Sequence, residues 1–223
     1  MNRHLDQIDN DIAEKNLLKH PFYLAWTRGE LSKAALTDYA KQYYHHVAAF
    51  PTYLSAVHAK CDDQPTRKQI LQNLIDEEAA SPNHPELWKQ FGNALGVDDV
   101  DLANTEKETE TRNLIETFRS VCGDKSTADG LAALYAYESQ IPAICESKID
   151  GLKKFYGFND PKGYEYFSVH IEADKEHSAT EREMLSAKID NHNAESVRVS
   201  VNRVLDALWE MLSGVCRRHA IAC

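Results

Sequence analysis

Residues 166–177 have the sequence YFSVHIEADKEH, which places His170, Asp174 and His177 at positions i, i+4 and i+7. On an α-helix these three side chains fall within a sector of roughly 60°. Two imidazoles and one carboxylate on so narrow a stripe are typical of helix-borne metal sites in bundles. The stretch is also compatible with a solvated polar face, because three further charged residues lie between them. The rest of the chain must decide between these two interpretations.

The chain has 223 residues, of which 43% are hydrophobic and 27% charged, and its formal net charge is −10. This profile predicts one globular domain over residues 1–223, with a tail that is disordered from about residue 217. The net acidity and the scattered basic residues argue against nucleic-acid binding and against attachment to anionic membranes.

The start of the chain and the cysteines indicate where the protein works. Residues 1–7 are polar and no apolar run follows them, so we expect no signal peptide. No window approaches the roughly 18 apolar residues of a membrane span. Five scattered cysteines without a C-x-x-C pair favour reduced thiols in a cytoplasmic protein.

Apolar residues recur at helical spacing along almost the whole chain, and no run alternates with period two between hairpin turns. We therefore predict an all-α fold, with proline kinks near residues 51 and 142. The predicted helices cover residues 3–18, 22–29, 33–60, 65–80, 86–95, 106–122, 127–156, 161–190 and 194–216, with a short acidic helix or loop at 98–104.

Glu138 lies at the centre of an apolar stretch, residues 130–142. Such a carboxylate needs a physical reason, because removing an ion from water costs several kcal/mol even after relaxation. An arginine partner, a protonated acid or a small polar face with Ser139 would each supply one. The local apolarity favours a functional role instead.

Glu77 and His84 are seven residues apart and would share a face if one helix carried both. Pro82 and Pro85 make a continuous helix doubtful, so a bend would have to aim His84 back toward Glu77. A solvated helix end is the alternative for this acidic segment.

Three separate stretches thus supply three carboxylates and three imidazoles. Helical bundles build two-metal carboxylate sites from facing helices in this manner, and oxygen and imidazole donors suit iron or manganese. Without cations, the carboxylates would repel one another strongly in a core, whereas two divalent ions would neutralise them and leave positions open for dioxygen. The candidate metal ligands are Glu77, His84, Glu138, His170, Asp174 and His177.

Long runs of the chain resemble the family of the Chlamydia protein associating with death domains, up to about residue 190. This family belongs to the heme-oxygenase-like superfamily, beside the TenA-like thiaminase and PqqC-like pyrroloquinoline-quinone synthase branches. The runs that carry the resemblance are HPFY at 20–23, DYAK at 38–41, AFPTYLSA at 49–56, DEE at 76–78, PNH at 82–84, LWKQF at 87–91, YESQIP at 137–142 and the stretch 166–177.

The resemblance implies a bundle of about seven helices around a dimetal centre, Fe/Fe or Fe/Mn, held by the six candidate ligands. It implies a self-sacrificing oxygenase that uses dioxygen and an external reductant to make p-aminobenzoate, a folate precursor. By the family pattern Tyr23 is the tyrosine consumed, in a single turnover, and Lys148 is the amino donor. Tyr39, Tyr137 and Tyr166 match tyrosines that could relay radicals.

The residues alone leave other roles open for these positions. Tyr23 would pack in the core with Trp26, Lys148 would be a surface lysine, and the remaining tyrosines would be ordinary core aromatics. Lys148 lies ten residues after Glu138 on the same predicted helix, which turns it toward the same side.

Other branches of the superfamily fit less well. The thiaminases use a cysteine where this chain has Glu138, and Cys145 has no obvious base beside it. The quinone synthases work without metal, and the complete ligand set of this chain argues against that activity. Heme oxygenases bind heme through an axial histidine, a role that His20 could fill, but the six candidate metal ligands would then have no function. Residues 219–223 show no relation to the chlamydial tail, so association with death domains is not carried over.

Three functions remain in view from the sequence. The first is the self-sacrificing p-aminobenzoate synthase, which we expect to be a homodimer served by an unidentified reductant. The second is a multiple-turnover dimetal oxidase of an unidentified small molecule. The third is a non-catalytic metal-binding or interaction protein.

Overall fold

A computed structural model describes residues 2–222, so Met1 and Cys223 lie outside it. Within that range the chain forms α-helices and two short 3₁₀ turns, Leu17–Lys19 and Pro161–Tyr164, and no strand, which confirms the all-α prediction. The helices are α1 (Arg3–Glu14), α2 (Pro21–Arg28), α3 (Lys33–Lys60), α4 (Gln64–Glu78), α5 (His84–Ala94), α6 (Asp99–Asn104), α7 (Thr109–Asp124), α8 (Thr127–Glu138), α9 (Ile141–Phe155), α10 (Glu165–Lys188) and α11 (Ala194–Arg218).

The prediction of about seven helices is too low, since the described residues form eleven. The long helix predicted over residues 127–156 is two helices, α8 and α9, rather than one kinked helix. Pro142 lies in the first turn of α9, where its missing N–H needs no helical partner. The first predicted helix is likewise shorter than expected, because α1 ends at Glu14 and a 3₁₀ turn follows.

The short helix α2 is fixed by its ends and by a close approach to α9. His20 caps its start, with Nδ1 accepting a hydrogen bond from the backbone N–H of Phe22 at 3.0 Å. Gly29 ends it with φ +70°, a conformation that favours glycine. A Cβ at Gly151 of α9 would lie 2.6 Å from the indole of Trp26, so glycine is what lets the two helices meet. This contact places Tyr23 of α2 beside α9.

Helix α10 carries the stretch 166–177 through the interior of the bundle. It packs against α8 and α9, and also against α5 and α4. From Phe167 onward the buried positions of α10 recur three or four residues apart, and His170, Asp174 and His177 are among them. The stripe is therefore an interior face of the helix and not a solvated one.

The far end of the chain is held to the bundle. In α11 Arg217 pairs with Glu110, and Arg218 Nε lies 2.9 Å from Asp38 Oδ2. The helix thus continues to Arg218, past the point at which we expect the tail to begin. Disorder of the remaining tail stays a prediction.

Two further expectations concern the described residues. Cys61, Cys122 and Cys145 are buried free thiols, consistent with the reduced cysteines that we predict, whereas Cys223 lies outside the described range. None of the helices within residues 2–222 is long and apolar enough to cross a membrane.

Candidate metal centre

The structure brings the six candidate ligands into two adjoining groups. Within each group, one potential ligand atom from every residue lies within 4.8 Å of the others. All six side chains are buried, from 1% to 8% exposed. The first group consists of Glu77, His84 and His170, and the second of Glu138, Asp174 and His177.

The first group depends on the bend between α4 and α5. Helix α4 ends at Glu78 and α5 begins at His84, and the turn between them returns His84 Nδ1 to 2.8 Å from Glu77 Oε2. The two residues therefore meet across a bend and not along one helix face. The His170 ring lies 4.2 Å from that of His84, measured between ring centres.

A backbone contact orients His170. Its Nδ1 lies 2.6 Å from the carbonyl oxygen of Tyr166. A carbonyl only accepts hydrogen bonds, so Nδ1 carries the proton and Nε2 keeps a free electron pair for a metal ion. Burial, followed by the positive charge of His84, holds the pKa of His170 well below its usual range. The ring is therefore neutral, as a metal ligand must be.

A carboxylate outside the predicted ligand set orients His177 in the second group. His177 Nε2 lies 3.0 Å from Asp76 Oδ2, and Nδ1 faces Asp174 Oδ1 at 3.6 Å and Glu138 Oε1 at 3.8 Å. A carboxylate on the second ring nitrogen is the usual support of a metal-binding histidine. Sequence reasoning took only Glu77 from the acidic segment 76–78 and missed Asp76, because no spacing connects Asp76 with His177, which lies 101 residues away.

Glu138 is the last residue of α8, and its carboxylate is hydrogen-bonded to an uncharged side-chain amide. The Asn73 side-chain amide donates to both carboxylate oxygens of Glu138, at 3.0 and 3.3 Å. Burial raises the pKa of Glu138, and it raises that of Asp174 to about 8. Asn73 supplies hydrogen bonds but no compensating positive charge.

The charges and unpaired atoms of the two groups fit divalent cations. His84 Nδ1, Asp174 Oδ2 and His177 Nδ1 are buried and make no properly aligned hydrogen bond within residues 2–222. Burial lowers the pKa of His177, but the carboxylates of Asp174 and Glu138 outweigh it and raise the value to about 10. The site thus favours a positive charge between these side chains. The mixed oxygen and nitrogen donors suit iron or manganese.

A small cavity adjoins both groups. Its volume is about 10 Å³, which is room for roughly one water-sized molecule. An aromatic substrate does not fit such a space. The lining residues are Val47, Phe50, Glu77, Tyr137, Glu138, Tyr166, His170 and Asp174.

Lys148 is buried within a group of aromatic rings that we call the lysine pocket, formed by Tyr23, Tyr39, Tyr43, Trp88 and Lys148. The lysine is 2% exposed and donates from Nζ to the Tyr39 hydroxyl at 2.6 Å. The Tyr39 hydroxyl lies 3.3 Å from that of Tyr23, and Lys148 Nζ is 5.5 Å from the centre of the Tyr23 ring. Burial lowers the pKa of Lys148 to about 8 and raises those of both tyrosines.

The location of Lys148 corrects two expectations from the sequence. Lys148 belongs to α9 and Glu138 to α8, so the two do not share a helix. Lys148 is also not a surface residue. The Tyr23 ring is buried beside Trp26, 6.5 Å between ring centres, so a packing role coexists with its place in the lysine pocket.

Aromatic contacts connect the lysine pocket to the metal ligands. The Tyr43 and Tyr137 hydroxyls are 2.8 Å apart, and Tyr137 lines the cavity. The ring centre of Tyr166 lies 4.0 Å from that of His170 and 4.8 Å from that of Trp88. The three tyrosines proposed as relays therefore all lie on or between the two regions.

Sequence reasoning also missed several neighbours of these groups. Tyr43 and Trp88 carry no pattern that separates them from core aromatics, and Asn73 shows no signal of its own. Glu181, by contrast, has a recognisable sequence signal, because it lies four residues after His177 and continues the stripe of α10.

Comparisons with known proteins identify a family and several relatives of the chain. A family model described as "Iron-containing redox enzyme" matches residues 37–209. A 4-aminobenzoate synthase of Chlamydia pneumoniae is 47% identical, covering 94% of this chain and 93% of that protein. One from Nitrosomonas europaea is 46% identical over 94% of this chain and 89% of its own length. A pyrroloquinoline-quinone synthase of Pseudomonas putida is more distant, at 23% identity over 92% of this chain and 82% of that protein.

Solved structures show the same fold. A TenA homologue from Pseudomonas syringae superposes with a TM-score of 0.84, covering 97% of this chain and 93% of that one, at 18% identity. A CADD-like protein of unknown function from Nostoc punctiforme gives 0.76, with 97% and 99% covered, also at 18% identity. The heme-oxygenase-like, TenA-like fold that we predict is confirmed.

Proposed function

Because the chain belongs to the family of iron-containing redox enzymes, with 4-aminobenzoate synthases among its relatives, we propose that it makes p-aminobenzoate from its own Tyr23. Lys148 would give the amino group and dioxygen would be the oxidant. The reaction would consume the residues that carry it, so each chain would act once.

The observation that carries this proposal is the contrast between a full pocket and a minute cavity. Beside the metal ligands there is room for about one water-sized molecule. An amine and a phenol already occupy the adjoining space, joined through the Tyr39 hydroxyl. This arrangement favours reactants that belong to the chain over an aromatic substrate from solution, and it argues against a multiple-turnover oxidase.

The metal centre and the surrounding residues would divide the work. Two bound metal ions, Fe/Fe or Fe/Mn, would supply oxidising equivalents by reducing dioxygen with electrons from an external reductant. Tyr137 and Tyr166 contact the metal-ligand region and lead toward Tyr39 and Tyr23 through ring and hydroxyl contacts. Closely spaced aromatic rings of this kind suit the stepwise movement of an electron from Tyr23.

Protonation states of the lysine pocket suit amine transfer. Burial raises the pKa values of Tyr23 and Tyr39, so both phenols are neutral near pH 7. With the Lys148 pKa at about 8, roughly a tenth of the amine is neutral at pH 7 and can act as a nucleophile. The hydrogen bond to Tyr39 holds Nζ near the ring of Tyr23.

The remaining expectations about the setting of the reaction are part of the same proposal. We propose a cytoplasmic homodimer that feeds folate biosynthesis and needs an external reductant, without nucleic-acid or membrane partners. These points rest on composition and on the resemblance of the sequence.

The test measures product per chain. Protein loaded with iron and manganese is assayed for metal by elemental analysis, exposed to reductant and air, and its p-aminobenzoate is measured by mass spectrometry. We expect at most one equivalent per chain, and none from Tyr23→Phe at unchanged metal content. Tyr135→Phe is the matched control, because the Tyr135 hydroxyl donates to Asp9 at 2.7 Å outside the lysine pocket. Continued product formation by Tyr23→Phe would rule the proposal out.

A further inference from the structure

Glu181 extends the metal-ligand stripe of α10 by one turn. It follows His177 by four residues, so the two side chains lie on the same face of the helix. The side chain is buried at 3% exposed, as deeply as Glu77. A carboxyl group at this depth needs a partner, because an ionised one without compensation costs several kcal/mol.

The surroundings of Glu181 supply another acid as its partner, the carboxyl group of Glu138. Neither carboxylate oxygen accepts a hydrogen bond from an amide, a hydroxyl or a cationic side chain within residues 2–222. Burial raises the pKa of Glu181 well above its usual range, and the charge of Glu138, the hydrogen bond with Glu138 and the charge of Asp174 raise it further. Two carboxyl groups brought together in this way either share a proton or hold a cation between them.

A cleft connects this carboxyl group with the surface between α4 and α10. At its outer end Asp76 has a side chain that is 39% exposed, and Glu176 lies beside it on the surface. Asn73, His177 and Glu181 line the inner part. Cations therefore have an acidic approach to the second ligand group from this side.

We propose that Glu181 is a seventh metal-site residue, a carboxylate ligand of the cation held by Glu138, Asp174 and His177. The inference rests on the proposed two-metal centre and makes it asymmetric. The first cation has one carboxylate and two imidazoles, whereas the second has three carboxylates and one imidazole. Because of the additional negative charge and the oxygen donors, the second site binds hard divalent ions more tightly and fills first.

The experiment titrates metal-free protein with Mn²⁺ and follows the free ion by electron paramagnetic resonance. Wild-type protein should bind two ions with different affinities. In Glu181→Gln the tighter site should weaken by at least about tenfold while the other keeps its affinity. Glu183→Gln, an exposed change on the same helix but outside the cleft, should match wild type. Equal Mn²⁺ affinities in wild type and Glu181→Gln would overturn the proposal.

Cobalt distinguishes a ligand from a nearby charge. Co²⁺ absorbance in the visible range reports the number and type of coordinating atoms, so loss of a ligand changes the band shape. A Glu181→Gln spectrum identical to wild type, with both sites filled, would make Glu181 an uncoordinated acid beside Glu138. Wild-type protein that binds fewer than two ions would instead contradict the dimetal centre itself, which keeps the two failures separate.

Discussion

The metal centre and the lysine pocket lie side by side in one core, but they differ in how completely their buried polar groups are paired. In the metal centre, buried atoms of His84, Asp174 and His177 have no aligned hydrogen-bond partner within residues 2–222. In the lysine pocket, Lys148 donates to Tyr39 and Tyr39 contacts Tyr23. The unpaired atoms among the candidate ligands support the proposal of bound cations. The paired groups of the lysine pocket support the proposal that the reactants are already in place.

The largest effect is expected when a ligand is removed from the metal centre. Glu138→Ala deletes a carboxylate that would neutralise a cation, so metal content should fall from two ions per chain to about one and p-aminobenzoate should disappear. Elemental analysis of the purified variant measures the first effect. Glu146→Ala, an exposed change on α9, serves as the control. Unchanged metal content in Glu138→Ala would remove this residue from the ligand set.

Lys148→Met tests the lysine pocket, because methionine has a side chain of similar volume but no amine. We expect two metal ions, no p-aminobenzoate, and a free energy of unfolding at pH 7 that is roughly 1–3 kcal/mol higher than wild type, since a buried charge is lost. Urea titration measures the stability. The exposed substitution Lys153→Met on the same helix should change none of these quantities.

The stability difference should depend on pH in a defined direction. The Lys148 pKa is about 8 in the folded protein and 10.5 ordinarily, so the unfolded chain binds more protons between those values. Wild-type stability from this group therefore rises as the pH increases through that window. The advantage of Lys148→Met should be largest at pH 7 and should shrink toward pH 10. A constant difference across this range would contradict the low pKa.

The smallest effect is expected from a change in Asp76, which orients the ligand His177 but is not itself a candidate ligand. Asp76→Asn keeps a hydrogen-bond acceptor near His177 Nε2 but removes the charge, so it should weaken metal binding by roughly 10- to 100-fold without abolishing it. Competition with a chelator of known affinity measures the change. Glu78→Gln, an exposed neighbour on α4, should bind as wild type does.

The same contrast explains what could be predicted from the sequence. His170, Asp174 and His177 stand out because charged groups at helical spacing are unusual on an interior face. Glu181 continues that spacing and could have been found by following the stripe one turn further. His84 required a bend between two prolines, whose geometry depends on the packing of α4 and α5 and not on local spacing.

The lysine pocket could not be predicted from residue spacing, for a different reason. Phenol and indole rings are ordinary core residues, so Tyr43 and Trp88 carry no signal of their own. Lys148 was assigned to the helix of Glu138, whereas the break before α9 and the glycine contact at Gly151 decide where it lies. Only resemblance to a family pointed to Tyr23 and Lys148, because their significance arises from a tertiary contact.

In the function proposed for this protein, the metal centre oxidises a residue of its own chain. The most direct test is the mass of the peptide that contains Tyr23, measured before and after metal-loaded protein meets reductant and air. We predict that this peptide loses the mass of a tyrosine side chain, in proportion to the p-aminobenzoate released, and that peptides with Tyr135 do not change. An intact Tyr23 peptide in protein that has released p-aminobenzoate would rule out Tyr23 as the source of the product.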